Sequence, residues 1–164
     1  MGQFKDIISN HEKAMEKKNE GIEKSRNKSI KEKEAKYEAS DAFLNTIVYP
    51  VLLEAQKDIQ SENYKCEIKK RLLMDDTVKE QYISSITLIT DLMPRSTSRG
   101  TSIISKKASI SFSLSDDGKI KITATKVDKQ LQLNSISSDT SIDLTAKETN
   151  ISLIMKEFLK IVYD

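Results

Sequence analysis

The sequence predicts an α+β fold: a long N-terminal helical arm, an antiparallel meander sheet of four or five strands with helices packed on one face, and a C-terminal helix. Three observations predict it. A helically spaced apolar stripe runs from Phe4 past Ile59. Apolar and polar residues then alternate at the strand period. A second helical stripe closes the chain from Ile151 to Val162. The expected division is a charged arm over residues 1–40 and an α+β domain over 41–164. The domain comprises a core helix 41–62, a sheet 63–144 and a terminal helix 146–162.

Steps of four, four and three residues from Phe4 pick out Ile8, Met15, Ile22, Ile30, Tyr37, Leu44, Val48, Leu52, Ala55, Ile59 and Cys66. This eleven-residue period is about 3.67 residues per turn, close to a straight helix. Up to residue 40 the stripe is sparse, because His11, Asn19, Arg26 and Lys33 interrupt it. From Leu44 it is nearly continuous and widened by Phe43, Ile47, Val51 and Leu53. The front is therefore read as a solvated helix and FLNTIVYPVLLEAQKDI as a core helix. Asp41 is a candidate N-cap, so the arm is either one rod with the core helix, hinged near Asp41, or partly disordered. Pro50 lacks an N–H and predicts a kink or a fresh helix start.

In YKCEIKKRLLM, Tyr64, Cys66, Ile68, Leu72 and Met74 alternate with Lys65, Glu67, Lys69 and Arg71, a strand with one buried and one charged face. QYISSITLITDL is a second strand, ended by Pro94 and the loop PRSTSRG. In SIISKKASISFSLSDDGKIKITATK, Ile104, Ala108, Ile110, Phe112 and Leu114 oppose a row of serines. Asp116-Asp117-Gly118 is the hairpin turn, and Ile120, Ile122 and Ala124 return on the buried face. A turn at 127–129, Leu131 with Leu133, and Ile142 with Leu144 complete the meander. Thr145 and Glu148 form a candidate capping box for the last helix. Single-faced elements must share a core, which lays both apolar helices on one face of the sheet.

Composition constrains function mainly by exclusion. The chain has 164 residues, 32% of them charged, and a formal charge of +2. That balance gives no general attraction to nucleic acid or anionic membrane, only to local patches. One cysteine, Cys66, rules out an internal disulfide or a cysteine-rich zinc site. No run approaches the roughly 20 apolar residues of a membrane span. The expectation is a soluble, cytoplasmic protein without a cofactor.

Candidate chemistry is thin. His11, the only histidine, lies on the solvated helix. Glu67 and Lys69 form a Glu-x-Lys pair on a strand, as in nucleases of the PD-(D/E)xK type, with Asp58 as the upstream acid. Charged strand faces explain the same residues, and a metal-dependent nuclease is the weakest of the readings. The chain has no glycine-rich phosphate loop. Lys65, Lys69, Arg71, Arg95, Arg99, Lys106 and Lys107, with Lys119 and Lys121, could converge on phosphates, although no aromatic side chain interleaves them for base stacking. The arm offers the other surface: Phe4, Ile8, Met15, Ile22, Ile30 and Tyr37 could dock on another protein or on a second copy.

The order FLNTIVYPVLLEAQKDIQSENYKCEI, a helix with a central proline followed by a polar turn and a strand, precedes the closing helix TAKETNISLIMKEFLKIVYD. It resembles small α+β accessory proteins encoded beside larger ATPases or nucleases in bacterial defence and mobile-element operons. The resemblance covers residues 43–68 and 145–164 and carries no catalytic motif. It implies a non-enzymatic accessory subunit of a larger, antiviral-defence type of complex. A nucleic-acid-binding accessory protein is the alternative expectation.

Overall fold

A computed structural model describes residues 2–78, 80–94, 106–136 and 140–164. The α+β architecture expected from the sequence is present. Helix α1, Gln3–Phe43, runs through a π-helical turn, Leu44–Val48, into α2, Tyr49–Ser61. Strands β1 (Cys66–Leu72), β2 (Ile83–Asp91), β3 (Lys107–Leu114), β4 (Ile120–Lys126), β5 (Lys129–Leu131) and β6 (Ser141–Ile142) follow, and α3, Glu148–Tyr163, closes the chain.

The helix does not break at Asp41. Its carboxylate accepts from the Ile83 N–H at 2.6 Å and from Asn45 Nδ2 at 2.8 Å, so it ties the rod to β2 and caps no helix start. The irregularity lies just before Pro50. There the Tyr49 N–H reaches back five residues to the Leu44 carbonyl. A proline ring would press on the carbonyl four residues earlier in a regular α-helix. The wider π turn absorbs that conflict without ending the rod.

The strands form an antiparallel meander in the order β1-β2-β3-β4-β5, with β6 also paired to β4. One face carries Ile86, Leu88, Ala108, Ile110, Phe112, Ile120, Ile122 and Ala124. Leu44, Val48, Val51, Leu52, Ala55 and Ile59 of the rod cover it together with Ile151, Ile154, Met155, Phe158 and Val162 of α3. Both helices thus lie on one face of the sheet, as single-faced patterning requires.

Strand β1 departs from its expected pattern. Leu72 and Met74 were expected inside, yet Met74 is 95% exposed and Leu72 is exposed as well. β1 is an edge strand whose register shifts between Arg71 and Leu72. Such an irregularity turns the strand end away from the core. The expected cap of the last helix also differs. Lys147 stands at the N-cap, its N–H donating to Asn150 Oδ1 at 2.9 Å while its carbonyl accepts from the Asn150 N–H at 3.0 Å, so the cap sits two residues later than the Thr145–Glu148 box. Ile104 lies outside the described residues.

Turns follow the sequence closely. Gly118 has φ of +83°, and the Lys36 side chain passes 3.5 Å from where its Cβ would stand. Val127 and Asp128, between β4 and β5, have φ of 52° and 62°. Two central residues with positive φ make a type I′-like turn, which suits Asn-Gly and strains a β-branched valine. Val127→Asn is therefore expected to raise stability by about 1 kcal/mol, read as a higher urea midpoint with unchanged slope. An unchanged or lower midpoint would show that the valine carries no strain.

Candidate docking surface

The arm leaves the body as a continuous helix. Residues 3–33 span roughly 46 Å at the usual rise of 1.5 Å per residue. Phe4 is 80% exposed, and Ile7, Ile8, Met15 and Ile22 are also exposed. Ile30 and Tyr37 are half-buried at the arm's root. The six apolar residues expected to dock therefore divide: Phe4, Ile8, Met15 and Ile22 lie free along the rod, and Ile30 and Tyr37 belong to its anchorage.

The root is held by several polar links. Lys36 Nζ donates to the Asp116 carbonyl in the β3–β4 turn. Tyr37 Oη donates to Asp75 Oδ2 at 2.9 Å and its ring meets Tyr82 at 6.1 Å between centroids. Asp41 accepts from the Ile83 N–H. Ser40, fully buried, satisfies its hydroxyl within the helix itself, on the Tyr37 carbonyl at 3.0 Å. Hydrogen bonds from the Thr77 hydroxyl and N–H, and then from Tyr37, hold the Asp75 carboxyl below its usual range. A lowered carboxyl pKa means a link present at neutral pH and lost as pH falls through that lowered value.

The exposed stripe carries no acid. Its positions from Phe4 to Tyr37 hold apolar residues, His11, Asn19, Arg26 and Lys33, while Glu12, Glu16, Glu20, Glu23 and Glu34 lie off it. Ile22, Arg26, Ile30, Lys33 and Thr77 line a concavity of about 650 Å³, where the stripe reaches the body.

The basic residues converge less. Lys69 and Arg71 lie on the sheet face opposite the helices, because β1 alternates and Cys66 faces inward. Register aligns Arg71 with Ser85, Ser113 and Lys121 across four strands, and Lys69 with Thr87, Ser111 and Thr123. At about 4.8 Å per strand, Arg71 and Lys121 stand roughly 14 Å apart. The floor between them is hydroxyl-rich, with Thr87 bonded to Ser111 and Ser109 to Thr125, each at 2.9 Å. Acids interrupt the set: Glu67 pairs with Lys69 at 3.7 Å, and Asp91 sits in register with Lys107 while its N–H bonds the Lys65 carbonyl. Lys106 is exposed at the entry to β3. Arg95 and Arg99 lie outside the described residues. Sequence reading missed Lys70, which turns under the sheet, 3.6 Å from the Tyr49 ring centroid and bonded to Asn45 Oδ1 at 3.2 Å. Its alternation with Glu67, Lys69 and Arg71 was the available signal.

The Glu-x-Lys pair has no acid beside it from Asp58. Asp58 is on α2, which packs on the inner face of the sheet, whereas Glu67 points to the outer face. Among the described residues no group of three or more His, Cys, Asp or Glu could hold a metal ion. His11 stands exposed on the arm.

Cys66 is 4% exposed. Burial pushes its thiol up to about 11, against a smaller opposite effect of a hydrogen bond with Thr90. Protonated thiols are poor nucleophiles. An aromatic disulfide reagent at pH 8 is expected to leave the folded thiol unmodified and to titrate it fully in urea; rapid labelling of the folded protein would contradict this. Because the folded pKa is raised, the contribution is complete below the unfolded value and is lost as pH rises toward about 11.

Among the described residues no helix is long and apolar enough to cross a membrane. Compared with family models, curated proteins and solved structures, the chain matches none.

Proposed function

We propose that the protein is a non-enzymatic accessory subunit that docks on a protein partner through its N-terminal helix. One observation carries this: a folded body anchors, by Lys36, Tyr37 and Asp41, a helix whose apolar stripe stays exposed. A solvated tail needs neither the stripe nor the anchorage. Helix-in-groove recognition reads anchors of this spacing. The resemblance of residues 43–68 and 145–164 to accessory proteins of bacterial defence operons supports the same reading, with a larger ATPase or nuclease complex as the setting.

Removing residues 1–33 is expected to leave the body folded, with only the small fall in thermal stability that loss of half-buried Ile30 brings, and to abolish co-purification of the native partner. A truncated chain that retains every partner held by the full chain would overturn the docking role.

The second reading, contact with nucleic acid, is favoured by the Arg71–Ser85–Ser113–Lys121 row on an open hydroxyl face. It competes poorly, because Glu67 and Asp91 break up the cations. It requires oligonucleotide binding at low salt that Arg71→Ala with Lys121→Ala weakens, and absence of binding there removes it.

A further inference from the structure

The stripe on the arm has a symmetry that bears on what covers it. Counted from Met15, its positions fall at four, seven and eleven residues on either side: His11 and Asn19, Ile8 and Ile22, Phe4 and Arg26. We infer that two copies of this chain pair through their arms, antiparallel, on a two-fold axis at Met15. This rests on the docking reading above and names the partner as a second copy.

In that register Met15 meets Met15, Ile8 meets Ile22 twice, His11 meets Asn19 twice, and Phe4 meets Arg26 twice. Every stripe pair is apolar, hydrogen-bond-capable or a cation over a ring. A parallel pairing would instead set Arg26 against Arg26 and Lys33 against Lys33. The two-fold axis also brings each flank against the same flank of the other copy. That places Lys5 near Glu23, which attracts, and Glu12 near Glu16, which repels, so charge beside the stripe roughly cancels. Register is therefore set by the stripe itself.

With the axis at Met15, Gln3 of one copy stands beside Asn27 of the other, just short of the half-buried Ile30. The second arm thus reaches the place where the first enters its body. Its Phe4 falls at Arg26, in the concavity of about 650 Å³ bordered by Ile22, Ile30 and Thr77. The contact between residues 4 and 26 runs about 33 Å. Two helices of that overlap lie at the weak end of specific interfaces, which bury about 1,200 Å² or more. Dissociation on the order of tens of micromolar is expected.

The test uses the full chain, with light scattering across a concentration series and cysteine cross-linking. Met15→Cys is expected to form a symmetric disulfide dimer on mild oxidation, because the axis brings the two thiols together. Lys17→Cys, on the opposite side of the helix, is expected to form far less, and Cys66 is buried in both. Phe4→Arg is expected to weaken dimerisation several-fold by facing Arg26 with a like charge, and adding Arg26→Phe to restore it. Equal cross-linking at 15 and 17, or no rescue in the double variant, overturns the inference, with helicity by circular dichroism confirming a folded arm. A chain monomeric at all concentrations also overturns it. That outcome leaves the broader docking role standing if removal of residues 1–33 still abolishes capture of another protein.

Discussion

Replacing Phe158 by alanine is expected to lower the unfolding free energy by about 3–5 kcal/mol. Phe158 is wholly buried on α3, within the cluster that joins α3 to the sheet and the rod. The loss combines the removed apolar surface with the cavity left among residues too tightly packed to collapse into it. Single domains hold only about 5–15 kcal/mol in total, so the variant stands near the edge of folding at ambient temperature. Phe4→Ala, at a ring 80% exposed on the arm, should change stability by less than about 0.5 kcal/mol. Urea titration of the pair separates body from arm. Equal effects would mean that the arm belongs to the cooperative unit.

Deletion of Thr46 is expected to cost the protein about 3 kcal/mol or more, through lost contacts at the arm's root. Thr46 is an exposed residue within the π turn, its hydroxyl returned to the Ala42 carbonyl at 2.6 Å. Removing one residue rotates everything before it by about 100° and moves it by about 1.5 Å along the axis. Tyr37 can then no longer reach Asp75, nor Asp41 the Ile83 N–H, and Phe43 and Leu44 turn out of the core with them, while Val48, Val51 and Leu52 remain in register. Alternatively the root holds and Leu52, Ala55 and Ile59 lose their places. Hydrogen exchange at the Ile83 amide distinguishes the two: rapid exchange means a detached arm. Unchanged stability with a protected Ile83 would show that the π turn merely accommodates Pro50 and sets no phase between arm and body.

These expectations also mark where sequence reading works. The stripe from Leu44 to Ile59, the alternation through Ile110, Phe112, Ile120 and Ile122, and the turn at Gly118 were all legible, because each depends on residues within a turn or a strand pair of one another. The exposed Phe4, Ile8, Met15 and Ile22 were legible for the same reason: a sparse stripe among charges cannot fill a core. Asp41 was not legible. As a short acid before an apolar run it has the local signature of an N-cap, yet its carboxylate is taken by the Ile83 N–H, far along the chain. Leu72 and Met74 failed as core residues because β1 is an edge strand, a fact of strand order. Lys70 turned inward because the pleat put it over Tyr49.

By itself, then, the sequence determined the elements, their buried faces and the fold class, since periodicity and turn chemistry are local properties of the chain. The tertiary structure alone decided that arm and core helix are one rod, that three hydrogen bonds clamp its root, and that the basic residues spread across an open sheet. Those outcomes depend on which distant groups meet, and hydrogen-bond satisfaction between remote segments leaves no periodic trace along the chain.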